Sequence, residues 1–242
     1  MEWRDEGIIL TSRKYGEYDA ILDVFTREHG RRSGIVKGGL GRRQRGNIQP
    51  GNEVTVTWRG RLETHLGTYS VELNKARSVA FLYSAPRLAA LGSCCSLLSV
   101  ATAENQPHEQ LLDGFLAFLD TLEVANEETT SWAPLLVKWE IGLLTELGFG
   151  LNFEECAATG AIDNLVYVSP KSGRAVSRDA GEPYKDKMLN LPTFLLGSGD
   201  NVTVSDVHNG LILTEYFIDR HVLAPFNKKI PQGRRMMMDY IR

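Results

Sequence analysis

Glu53-Val54-Thr55-Val56-Thr57-Trp58-Arg59 alternates without a break: Val54, Val56 and Trp58 fall on one face, Thr55, Thr57 and Arg59 on the other. That is the period-2 pattern of a half-buried strand. Similar short segments lie on both sides. Gly7–Ser12, Tyr18–Thr26 after the turn Tyr15-Gly16-Glu17, and Arg32–Lys37 come before it, and Leu66–Leu73 follows. Five such strands within about 75 residues leave no room for crossover helices, so a small antiparallel barrel is expected; an OB barrel and an SH3-like barrel both satisfy the pattern. Trp58 shares its face with two valines and is read as core, in preference to a platform for stacking bases, a role also open to Tyr69 and Phe25. Tyr15 and Tyr18, beside a turn, are the better stacking candidates. Asp19 and Asp23 alternate with Ala20, Leu22 and Val24, which predicts a solvated strand face and not a carboxylate cluster with Glu17.

Between the third and fourth strands the chain changes character. From His29 to Gly46, HGRRSGIVKGGLGRRQRG, six Lys/Arg residues and one histidine face no acidic residue, and six glycines interrupt them. Arg31, Arg32 and Lys37 bracket a strand, while Arg42, Arg43 and Arg45 fall on a segment too rich in glycine for a stable helix or strand. A cationic strand end followed by a mobile cationic loop suits a phosphate backbone, whose charge is neutralised without fixed base geometry. The competing reading is a solvated loop that only aids solubility.

The charge distribution favours the first reading. Net charge is -3, but residues 1–80 carry 14 Lys+Arg against 10 Asp+Glu, whereas residues 81–242 carry 13 against 20. A basic front on an acidic body implies separate tasks. The N-terminus lacks the apolar run of a secretory signal, and the longest uncharged stretch, Leu88–Ala103, is shorter than a membrane span and diluted by serines. Cys94, Cys95 and Cys156 offer no disulfide framework, which fits a reducing, cytoplasmic compartment. The histidines are dispersed, and no nucleophile elbow or phosphate-binding glycine fingerprint occurs, so no catalytic residue, metal or cofactor is expected.

From Ser84 the period becomes helical, with Pro86 in a first turn. Leu111, Phe115, Phe118, Leu119 and Leu122 form one apolar stripe, and Leu136, Trp139, Leu143 and Leu147 another. After Gly148-Phe149-Gly150 about 55 residues read as irregular, and a last amphipathic helix is expected over about Ser205–Leu223, burying Leu211, Phe217, Ile218 and Val222.

Four blocks carry a resemblance that spans nearly the whole chain: YGEYDAILDVFT with REHGRRSGIVKGG, then LLTELGFGLNFEEC, YVSPKSGRAV and EYFIDRHVL. In order and spacing they resemble the bacterial recombination mediator family RecO. The resemblance implies an α+β two-domain chain, with an OB-fold DNA-binding domain over 1–80 and a helical domain over 81–242. The helical domain would carry a zinc-finger-like segment at about 150–200. It also implies a non-enzymatic role in DNA repair and recombination in the cytoplasm, associated with the nucleoid. Such a protein would bind single- and double-stranded DNA, anneal complementary strands, and help load RecA. Its other expected partners are RecR and the acidic C-terminal tail of single-stranded DNA-binding protein. Carried over by motif, Arg31, Arg32, Lys37, Arg42, Arg43 and Arg45 become the expected DNA-binding residues, extended by Arg59 and Arg61. Docking of the acidic tail calls for cations in the helical domain, and Arg87, Lys138 and Arg220 are the candidates. Many members carry two C-x-x-C pairs after the GFG turn; here the first reads Cys156-Ala157-Ala158-Thr159, and Ser177 and Ala180 stand in the second. One thiolate cannot hold a structural zinc, so a metal-free remnant is expected. Without the family match, an RNA-binding OB protein of translation or RNA metabolism is the alternative.

Overall fold

The structure, a computed structural model, describes residues 1–62, 64–197 and 201–241. It divides into two compact units, Met1–Glu123 with Pro231–Met236, and Val124–Ile230 with the segment from Met237.

In the first unit β1 (Glu2–Tyr15), β2 (Asp19–Thr26), β3 (Gly30–Val36), β4 (Glu53–Arg59) and β5 (Thr68–Lys75) close into a barrel in the order β1-β2-β3-β5-β4. β3 meets β5 in parallel, with Ile35 opposite Thr68. The other neighbours are antiparallel. This is the five-stranded Greek-key ring of an OB-fold, which decides between the two barrels the sequence allowed. β1 is much longer than Gly7–Ser12 because it serves two partners. Its first half pairs with β4, from Glu2 opposite Arg59 to Ile8 opposite Glu53, and its second half with β2. A bulge between Ile9 and Thr11 re-aims the strand between them.

The alternation read from β4 holds: Val54, Val56 and Trp58 are fully buried with Ile9, Ala20, Leu22 and Val24. The Trp58 indole N–H donates to the Leu66 carbonyl at 3.1 Å, so its burial leaves no polar group unsatisfied. Tyr69 and Phe25 are buried as well, which removes all three as stacking platforms. The barrel is followed by α1 (Arg77–Ala80), α2 (Ala85–Ala101) and α3 (Glu109–Val124). α2 lies against β1, with Cys95 Sγ 3.8 Å from the Ile9 carbonyl oxygen. In α3 the expected stripe is buried throughout.

The second unit holds α4 (Thr129–Glu146), β6 (Leu165–Val168), β7 (Ala175–Ser177), α5 (Arg178–Gly181), β8 (Leu189–Asn190) and α6 (Val204–Phe217). α6 continues as a π-helical turn to Leu223, and α7 (Gln232–Asp239) follows. Thr203 and Asp206 form a reciprocal capping box at the start of α6, which fixes where that helix begins. α6 packs on α4 and buries Leu211, Phe217, Ile218 and Val222 as expected.

The segment after Gly150, expected to be irregular, contains a three-stranded sheet in the order β7-β6-β8. Residues 198–200, its expected end, lie outside the described residues. The sheet brings the remnant motif together. Cys156 Sγ accepts a hydrogen bond from the Ser177 backbone N–H at 3.2 Å. Burial opposes ionisation, but hydrogen bonds from the Ser177 side chain and N–H, and then from Thr159 and Ala158, outweigh it and bring the thiol down to about 6. Cysteine, threonine, serine and alanine do not make the thiolate set of a structural zinc; hydrogen bonds hold the sulfur here.

Candidate nucleic-acid interface

Three connections converge on one end of the barrel, and backbone hydrogen bonds show how. Leu40 N–H, in the β3–β4 loop, donates to the Tyr18 carbonyl in the β1–β2 turn at 2.9 Å. Ile35 N–H, near the end of β3, donates to the Gly67 carbonyl in the β4–β5 loop at 3.1 Å. Side chains tighten the junction: Asp19 accepts from Lys37 Nζ at 2.8 Å and from Gly38 N–H at 2.9 Å. The Lys37 hydrogen bond, with the Gly38 N–H second, holds the Asp19 carboxyl below its usual range. Lys37 is raised in turn, first through that hydrogen bond.

The loop itself folds into turns. Arg45 N–H donates to the Gly41 carbonyl at 3.0 Å and Ile48 N–H to the Gln44 carbonyl at 3.2 Å, giving successive turns. Ile48 is buried in the barrel core and Leu40 packs against it. Asn52 Nδ2 donates to the Gly46 and Asn47 carbonyls, each at 3.1 Å. Apolar residues at both ends therefore pin a stretch whose arginines face outward. Arg42, Arg43 and Arg45 are exposed, and none has an ion pair among the described residues. Arg42 and Arg45 border a shallow depression with Leu40, Gly46 and Gln49. Arg61 is exposed in the β4–β5 loop. Arg59 is exposed at the end of β4 and pairs with Glu2 at 2.9 Å. Two further exposed cations, Arg13 and Lys14, stand at the end of β1 and were not singled out from the sequence. Their signal was position beside the Tyr15-Gly16-Glu17 turn, visible once β1 is seen to run to Tyr15.

The other end of β3 is covered, and two of the expected arginines are held there rather than on an open surface. Arg31 Nη1 donates to Asp23 at 2.9 Å and its Nε to the Thr102 carbonyl at 3.2 Å. Asp23 also accepts from Ser99 of α2 at 3.3 Å. Asp23 is thus buried, not solvated as expected. Burial raises its carboxyl above the usual range although Arg31 and Ser99 pull it down. Arg32 is buried too: its guanidinium lies 4.6 Å from the centre of the Trp58 ring and donates to Asn105 Oδ1.

The cations expected to meet an acidic tail also separate. Arg87 is buried in α2 of the first unit. Lys138 on α4 and Arg220 after α6 are exposed in the second unit, and Arg220 donates to the Tyr216 hydroxyl at 2.7 Å. No cluster of three or more metal-ligating side chains occurs among the described residues, nor any helix long and apolar enough to cross a membrane.

Residues 1–77 match the family model for the N-terminal part of recombination protein O, and residues 83–230 that for its C-terminal part. The chain belongs to the RecO family. It is 46% identical to the DNA repair protein RecO of Rhodospirillum centenum over 100% of this chain and 95% of that protein. To the DNA repair protein RecO of Methylocella silvestris it is 46% identical, over 97% of this chain and 94% of the relative. The corresponding protein of Cereibacter sphaeroides strain ATCC 17029 is 40% identical over 100% of this chain and 98% of its own length. Membership of the RecO family does not favour the RNA-binding alternative.

Proposed function

We propose that this chain is a non-enzymatic mediator of DNA repair by recombination, which holds single- and double-stranded DNA by its phosphates at the loop end of the barrel. The observation that carries the proposal is the β3–β4 loop, whose exposed Arg42, Arg43 and Arg45 have no ion pair among the described residues. Lys37, Arg59 and Arg61 extend that surface. Phosphate contacts fix no base, so binding is insensitive to sequence and allows the annealing of complementary strands. In this reading the barrel, residues 1–80, meets DNA, and the acidic remainder, residues 81–242, meets proteins: RecR and the tail of single-stranded DNA-binding protein. RecA loading follows indirectly, in the cytoplasm at the nucleoid. Lys138 and Arg220 remain the candidate contacts for the acidic tail.

The test is the salt dependence of binding. Replacing Arg42, Arg43 and Arg45 together by alanine should weaken binding to all sequences alike. It should also reduce the slope of log affinity against log salt by about 2 on single strands, since each phosphate contact contributes about 0.7. An unchanged slope would leave the loop a solvated surface. Annealing of oligonucleotides coated with single-stranded DNA-binding protein then separates a mediator from a general binder.

A further inference from the structure

Two large aromatic side chains at the same end of the barrel are exposed. Tyr15 is 47% exposed and Tyr18 66% exposed, at the tip of the β1–β2 hairpin. Small or polar residues normally occupy such turns. Single exposed aromatics are ordinary, but these stand three residues apart and share their end of the barrel with a cationic surface. The segments 13–19 and 37–49 carry Arg13, Lys14, Lys37, Arg42, Arg43 and Arg45 against the acids Glu17 and Asp19 only. Asp19 is already paired with Lys37.

The hairpin tip is held against the basic loop. Tyr15 lies opposite Asp19 in the β1–β2 ladder, so the two side chains share the outer face, and Asp19 is tied to Lys37 and Gly38. The Tyr18 carbonyl accepts from Leu40 N–H. The neighbouring Glu17 carboxylate raises the Tyr18 phenol above its usual range.

We infer that Tyr15 and Tyr18 form a stacking platform for unpaired nucleobases, beside the cations that hold the backbone of the same strand. The inference rests on the phosphate-binding role proposed for this end of the barrel and adds a preference to it. Bases of a single strand can turn a π-face toward a tyrosine ring, and stacking of this kind tolerates any base. Bases within a duplex already stack on each other and offer no face. The tyrosines therefore favour single strands, while the arginines serve both forms.

The experiment uses the full chain with oligothymidylate and with a duplex of the same length, at fixed salt. Tyr15→Leu/Tyr18→Leu should lose about 30-fold or more in affinity for oligothymidylate and less than about twofold for the duplex. Its salt slope should stay that of the unsubstituted chain. Tyr15→Phe/Tyr18→Phe keeps both rings and should bind normally. Photocrosslinking with 5-iodouracil in the single strand should label Tyr15 or Tyr18, a readout that a merely structural role would not produce. Equal weakening on both substrates, no weakening on either, or crosslinks elsewhere would overturn the inference. The triple alanine variant at Arg42, Arg43 and Arg45 keeps the two ideas apart. If it binds both substrates normally, the phosphate proposal fails while the tyrosine comparison still reads out. If it loses both and the tyrosine variants lose neither, only the stacking inference fails.

Discussion

Arg31→Ala tests whether the first arginine of the basic stretch serves the fold or the ligand. Its guanidinium lies 2.9 Å from Asp23, and the two side chains are only 15% and 9% exposed. Removing the cation leaves a buried carboxylate with Ser33 and Ser99 hydroxyls as its remaining side-chain donors, each at 3.3–3.4 Å. Breaking such a pair from one side costs about 3–5 kcal/mol at neutral pH. With a urea slope of roughly 1–3 kcal/mol/M, the midpoint should fall by about 1 M or more. The pH dependence follows from the direction of the Asp23 shift. Its folded carboxyl titrates above the usual value, so ionisation costs stability as pH rises from the unfolded value through the folded one. Without Arg31 that shift grows. The gap between variant and parent should therefore be small below about pH 4, where Asp23 is protonated in both, and full at pH 7. Asp23→Leu/Arg31→Met, which removes both charges, should recover much of the loss. The reasoning fails if Arg31→Ala leaves the urea midpoint unchanged at pH 7 and instead lowers the salt slope on single strands by about 0.7, the mark of a phosphate contact.

Gly30→Ala should be severely destabilising, because Gly30 has φ +66° and a Cβ there would lie 2.1 Å from the Gln106 carbonyl oxygen. Gly16→Ala, at φ +63° with nothing within 4 Å, should cost only about 1–2 kcal/mol, and urea midpoints compare the two. At Cys156 the folded thiol at about 6 lies below its ordinary value of 9.0, so it adds stability that is complete above pH 9 and lost as pH falls through 6. Cys156→Ser should abolish that part of the pH profile, and metal analysis of the parent should find no stoichiometric zinc. One zinc per chain would show that hydrogen bonds alone do not hold the sulfur.

What could be read from the sequence depended on whether a residue's environment is set nearby or far away. β4 spans Glu53–Arg59 as expected, because Val54, Val56 and Trp58 face a core while Thr57 and Arg59 face outward. β1 was read short because its ends, Glu2–Glu6 and Arg13–Tyr15, are charged or polar. They are strand because β4 and β2 each pair with one half of it. β6, β7 and β8 are four, three and two residues long, too short for periodicity to register. The distinction between Arg31 and Arg42 lay outside local reach altogether. Thr102 and Glu104, about seventy residues on, cover one end of β3, and no count of charges along the loop contains that fact.

This covering also explains why a chain of net charge -3 can present a basic surface. β3 carries cations at both ends. At the Arg31 end, Asp23 and Glu104 answer the charge, and Thr102 and Asn105 take up the remaining donors. At the Lys37 end the lysine pairs with Asp19, which is partly exposed, and the next three arginines have no ion pair among the described residues. Exposed ion pairs such as Lys37–Asp19 and Arg59–Glu2 are weak and screened by solvent, so a phosphate can displace the carboxylate at little cost. A buried pair such as Arg31–Asp23 makes no such exchange, because releasing the guanidinium strands the carboxylate. Burial thus sorts one run of like charges into cations spent on the fold and cations left at the surface.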